Sequence, residues 1–176
     1  SELLDDERLV RALPTIKYIL KETKSLKILT HLGRPEETNL IQDRFSLKPV
    51  ANRLSELLGE EVGLAASLKD LESQVGIAML ENIRFFKGEK NNDKALSKAL
   101  SNLADIFVMD AFGTSHRKQA STYGITEFIN EACVGLLVEE ELSALEKIVS
   151  SPAKPLLGII GGSKISTKMK VIDSLT

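Results

Sequence analysis

Short apolar runs alternate along this chain with segments whose apolar residues recur every three or four positions, and this alternation constrains the fold more than any other feature. The runs lie at residues 26–30, 62–64, 75–80, 106–109 and 156–160. Each is only a few residues long and is bounded by Gly, Pro or polar residues, which suits a strand buried on both faces. The intervening segments read as helices. Leu9, Leu13, Ile16 and Leu20 mark one over residues 6–22, with Pro14 as a local interruption. Ser46 can cap a second whose apolar face is Leu47, Val50, Leu54, Leu57 and Leu58, and Gly59 stands where a left-handed terminator is expected. Leu96, Leu100 and Leu103 come after the polar Asn91-Asn92-Asp93, and residues 134–149 carry a further helical pattern. Strands that alternate with helices pair in parallel through right-handed crossovers, so the predicted architecture is a layered α/β domain with a sheet covered on both faces.

The chain has 176 residues, of which 43% are hydrophobic and 27% charged, which is ample for one core and gives no reason to expect disorder. A net charge of -2 argues against a broad nucleic-acid or membrane surface, so the basic residues are expected to act locally. No apolar run approaches the ~20 residues of a membrane helix, and residues 1–6 lack a basic, then apolar, leader pattern. Cys133 stands alone, which excludes an intrachain disulfide, fits a reducing cytoplasm and predicts a small buried hydrophobe. Residues 150–155 contain two prolines and break the last helical pattern, which divides the chain into residues 1–153 and an opening strand and helix of a second domain at 154–176.

The loops at the carboxyl ends of the strands suggest the function. His31-Leu32-Gly33-Arg34-Pro35, Glu81-Asn82-Ile83-Arg84-Phe85, the stretch from Asp110 to Arg117, and Gly161-Gly162-Ser163-Lys164 each place Arg or Lys on a loop after an apolar run. In open parallel sheets the carboxyl ends of the strands face one crevice, so these cations would converge on a single anionic ligand, with a phosphorylated small molecule as the natural candidate. Individually each patch has an ordinary explanation. Arg84 could pair with Glu81 or Glu89, His31 with Arg34 and His116 with Arg117 could be solvated surface groups, and the glycine pair could be a tight turn. The mixed-charge residues 88–94 read as a solvated turn, and Glu139-Glu140-Glu141 as a solvated helix face. Arg8 is the exception among helix starts, because a cation there opposes the helix dipole. The glycine pair is neither a Walker A loop, since Ser163 precedes the lysine, nor a GxGxxG fingerprint. There is no Ser-His-Asp order and no metal-spaced cluster. Many cations with no nucleophile suit phosphoryl transfer, in which the protein positions substrates and neutralises charge.

Taken together and in order, the HLGRP, ENIRF and DAFGTSHR patches, Ala120-Ser121-Thr122, and Gly161-Gly162-Ser163-Lys164 with Lys168 resemble phosphoglycerate kinase. The resemblance spans essentially the whole sequence and implies a fragment: most of the substrate domain, a three-layer, parallel-sheet, Rossmann-like α/β unit, and the opening of the nucleotide domain. The family's first strand, which carries an Asp and an Asn that touch substrate, has no counterpart before Arg8. The implied reaction moves a phosphoryl group between 1,3-bisphosphoglycerate and ADP to give 3-phosphoglycerate and ATP, with Mg2+ and closure of two domains, in a cytoplasmic, monomeric glycolytic enzyme. Residue by residue, Arg8, His31, Leu32, Gly33, Arg34, Arg84 and Arg117 resemble the substrate-binding set. Arg8 and Lys164 resemble the catalytic cations, and Gly161, Gly162, Lys164 and Lys168 resemble nucleotide ligands. The magnesium-binding Asp belongs to later sequence, so no residue here is a predicted metal ligand. The fragment alone is expected to be inactive. A non-catalytic anion-binding module is the rival of another class; a Rossmann-type hydrolase or dehydrogenase would lack its nucleophile or fingerprint here.

Overall fold

The computed structural model describes residues 5–150 together with Pro155, Leu157 and Ile159. Gly161, Gly162, Lys164 and Lys168, the predicted boundary after residue 153 and most of the predicted strand 156–160 lie outside the described residues. The chain groups into two compact units, residues 1–138 and 139–176.

In the first unit, strands β1 (Leu26–Ile28), β2 (Val62–Ala65) and β3 (Ile77–Leu80) form a parallel sheet in the order β1-β3-β2. Ile28 and Leu64 both lie opposite Met79. Central β3 is buried along its whole length, and the two-residue period of its side chains divides the core. Ile77 and Met79 join Leu47, Ala51 and Leu54, with Leu13, Ile16 and Leu20 packed against them. This layer is built by helices α1 (Glu7–Glu22) and α2 (Lys48–Leu58). Ala78 and Leu80 face the opposite way, toward Leu71 of α3 (Leu68–Ser73) and Leu96 and Leu100 of α4 (Lys94–Ser101). Helices on both faces of a parallel sheet give the expected three-layer α/β arrangement.

The local devices are legible. Gly59 ends α2 at φ 72, its amide donating to Ser55 O, and Asp93 Oδ1 accepts from the Leu96 amide to start α4. Pro14 does not interrupt α1, which runs through it. Ser46 is not the principal cap of α2. Its hydroxyl accepts from Lys48 N at 3.2 Å, while Glu81 Oε1, reaching across from the end of β3, accepts from Leu47 N at 2.6 Å. Val75 is excluded from β3 and is 96% exposed, because Gly76 at φ +79 turns the chain before the strand begins.

Strand β4 (Ile106–Met109) pairs in parallel with β5 (Glu131–Val134) as a separate two-stranded sheet. Sequence patterning misses β5, since its short apolar stretch Ala132-Cys133-Val134 runs on through Gly135 into Leu136-Leu137-Val138, and it assigns Val134 to the next helix. That helix, α6 (Leu136–Ser150), starts two residues later. All four β5 residues are exposed, Cys133 among them, so the expectations of a buried cysteine and of strands covered on both faces fail here. Helices α3 and α5 (Phe112–Ser115) also escape the sequence reading, being too short to show a helical period.

Candidate anion-binding site

Because β1 and β3 are parallel and adjacent, the loops after them leave the same edge of the sheet, and Asn82 fastens the two together. Its Nδ2 donates to Leu32 O at 2.8 Å and to Phe45 O at 3.0 Å, and its Oδ1 accepts from Arg84 N. Ile83 N donates to Thr30 O. Asn82 is wholly buried, as a multiply bonded amide can be without penalty. Glu81, also buried, spends its carboxylate on Ser46 Oγ, Leu47 N and Asn82 N. The ion pair that sequence allows between Glu81 and Arg84 is therefore not formed. Arg84 donates instead to Gly33 O.

Gly33 has two separate reasons to be glycine. Its φ is +65, and a Cβ there would lie 2.6 Å from the Phe45 ring. The result is a sharply turned HLGR loop in which Leu32 and Arg34 are exposed and His31 is half-buried.

The electrostatics show which cations share this space. His31 is held down to about 4 from 6.5, first by burial and then by Arg84, Arg117 and Arg8 in turn. Every charged group that acts on the ring is a cation. Arg84, 6% exposed, is itself lowered by burial and by Arg117 and Arg34, with Glu89 opposing. Arg8, Arg84 and Arg117 thus act on His31, and Arg117 and Arg34 on Arg84, which links five of the predicted residues from the start of α1 and the loops after β1, β3 and β4. A neutral imidazole among guanidinium groups offers one N–H donor and adds no repulsion, and the guanidinium forks match phosphate or carboxylate oxygens. An anion would relieve the repulsion. Among the described residues, no three His, Cys, Asp or Glu side chains are grouped to hold a metal ion. No helix among them is long and apolar enough to cross a membrane.

Across its whole length, residues 1–176, the chain matches the family model described as phosphoglycerate kinase. It belongs to the phosphoglycerate kinase family. The phosphoglycerate kinase of Vibrio campbellii is 48% identical over 178 residues, covering 100% of this chain and 46% of that protein. That of Francisella philomiragia is 46% identical over 170 residues, covering 96% and 43%. Among solved structures, phosphoglycerate kinase from Coxiella burnetii superimposes with a TM-score of 0.87 at 44% identity, covering 98% of this chain and 44% of the other. The Pyrococcus horikoshii enzyme gives 0.81 at 29% identity, covering 98% and 45%. The chain therefore spans less than half the length of the phosphoglycerate kinases it matches.

Four residues around these loops have structural roles that sequence reasoning does not single out. Glu81 and Asn82 join the loops after β1 and β3. Asp110, at the end of β4, accepts through Oδ1 from Leu137 N at 3.0 Å and Val138 N at 3.2 Å, capping α6. Glu89, predicted to be in a solvated turn, is 1% exposed. A signal is available for the first two: polar residues placed directly after a fully apolar strand remain at core depth and must find partners.

Proposed function

We propose that this chain forms the glycerate-phosphate side of a phosphoryl-transfer enzyme acting between 1,3-bisphosphoglycerate and ADP. The observation that carries the reading is the set of three cations, Arg84, Arg117 and Arg8, that act on His31 from three separate segments with no acid acting on the ring. His31, Arg34, Arg84 and Arg117 hold the non-transferred phosphate end of the ligand, with Leu32 and Gly33 shaping the loop beneath it. Arg8 meets the transferring group, where a cation at a helix start is useful despite the dipole. Gly161, Gly162, Lys164 and Lys168 serve the nucleotide, which brings its own Mg2+. Residues 1–153 act as the substrate domain and 154–176 open the nucleotide domain. The two close on a hinge near residues 150–155 to exclude water during transfer. The whole enzyme works as a cytoplasmic monomer in glycolysis, and the 176-residue chain alone does not turn over.

Calorimetric titration of the folded chain with 3-phosphoglycerate at low salt tests this reading. Binding is expected, and it is lost in an Arg34→Ala, Arg117→Ala double variant that melts within a few degrees of wild type. Binding unchanged in the double variant would overturn the placement of the ligand.

A further inference from the structure

The buried carboxyl of Glu89 has no part in binding the anion, yet it sits where three cationic loops meet. Its Oε1 accepts from Ser121 Oγ at 2.6 Å and its Oε2 from Ser121 N at 3.0 Å. The carbonyl of the same residue accepts from Ala120 N at 2.9 Å. Three hydrogen bonds from one residue therefore grip two consecutive residues of the segment just after Arg117. Within that segment Thr122 Oγ1 donates to Arg117 O at 2.7 Å and Gln119 N donates to the same carbonyl at 3.1 Å. Arg117's main chain is thus closed onto the two residues that flank the pair Glu89 holds.

The turn around Glu89 is also anchored to the segment after Arg34. Lys87 N donates to Asn39 Oδ1, Lys90 N to Glu37 Oε1 and Lys90 Nζ to Pro35 O, each tying the turn to the segment after Arg34. Asn39 N donates to Phe85 O, beside Arg84. The chain order alone cannot hold Arg34, Arg84 and Arg117 at a fixed spacing, because 50 and 33 residues separate them and like charges repel. Burying a carboxyl is costly unless its hydrogen bonds are met, and Glu89 is buried to make this clasp. Burial raises its pKa while the Ser121 hydroxyl and amide oppose the rise.

We infer that Glu89 and Ser121 form a positioning clasp that fixes the Arg117 loop against the loops bearing Arg84 and Arg34, so that the anion site is preassembled. The inference rests on the proposed function for the identity of the anion, but the clasp itself can be tested without ligand. Ser121→Ala removes the hydroxyl, and Glu89→Met removes both carboxyl acceptors at similar volume. In both variants of the full-length protein, 15N relaxation at neutral pH should show backbone order parameters of residues 117–121 falling from the ~0.85 of rigid structure toward about 0.6 or below, with α4 unchanged. Affinity for 3-phosphoglycerate should fall about tenfold in each. Unchanged order parameters in both variants would overturn the clasp. Lowered order with undiminished affinity would overturn its role in the site. A wild-type protein that binds no 3-phosphoglycerate would refute the proposed function, and the order parameters would still decide the clasp.

Discussion

Acidification should destabilise this protein through His31 in a way that a single substitution exposes. The ring is held at about 4 in the folded chain, against 6.5 for a free imidazole, by burial and by Arg84, Arg117 and Arg8. Between those two values the unfolded chain binds a proton that the folded chain refuses, so stability is fully present above pH 6.5, falls as the pH drops and levels off below about 4. At about 1.36 kcal/mol per pH unit, the full drop corresponds to about 3 kcal/mol. Solvent screening of a half-buried ring reduces this to about 1.5 kcal/mol, near a tenfold change in the folded-to-unfolded ratio. His31→Gln removes the titration and leaves all other groups in place. Urea unfolding at about pH 7.5, 5.5 and 4.5 should therefore show the variant gaining on wild type by about 1.2 kcal/mol between the first and last conditions. A constant wild-type-to-variant difference across that range would refute the placement of a neutral histidine among these arginines.

Two further outcomes test other residues of the site. Arg8→Ala in the full-length protein should lower kcat about 100-fold while changing KM for 3-phosphoglycerate less than about threefold, as expected for a contact made mainly at transfer; steady-state kinetics showing the opposite split would reassign Arg8 to ground-state binding. Gly33→Ala must place a Cβ 2.6 Å from the Phe45 ring at φ +65, for an expected cost of about 2–4 kcal/mol, and a loss below about 1 kcal/mol in denaturant titration would show that the loop rearranges freely.

Much of the fold is readable because its signals are local. The periods of α1, α2 and α4, the left-handed Gly59 and the Asp93 cap each depend on residues within a few positions of one another. The strands 26–28, 62–65, 77–80 and 106–109 announce themselves as apolar runs. Where pattern reading fails, the deciding contact is distant. Ser46 looks like a cap in sequence, but the Glu81 carboxylate, 34 residues from Leu47, accepts the Leu47 amide. Glu89 looks solvated because Gly, Lys and Asn surround it in sequence, and it is buried because Ser121, 32 residues away, bonds its carboxyl. Strand β5 escapes the pattern because the apolar stretch Ala132–Val134 merges with the apolar start of α6, and only pairing with β4 separates the two.

Side-chain period and turn chemistry act over a few residues, so the order of residues dictates a parallel α/β layer with cations on the loops after its strands. Which of those cations share one space depends on the folded topology. The β1-β3-β2 order sets the HLGR and ENIRF loops side by side, and the buried amide of Asn82 fastens them. The Glu89 clasp brings in the loop of Arg117. Charge coupling and desolvation depend on distance and burial, and both arise from neighbours that are far apart in the chain.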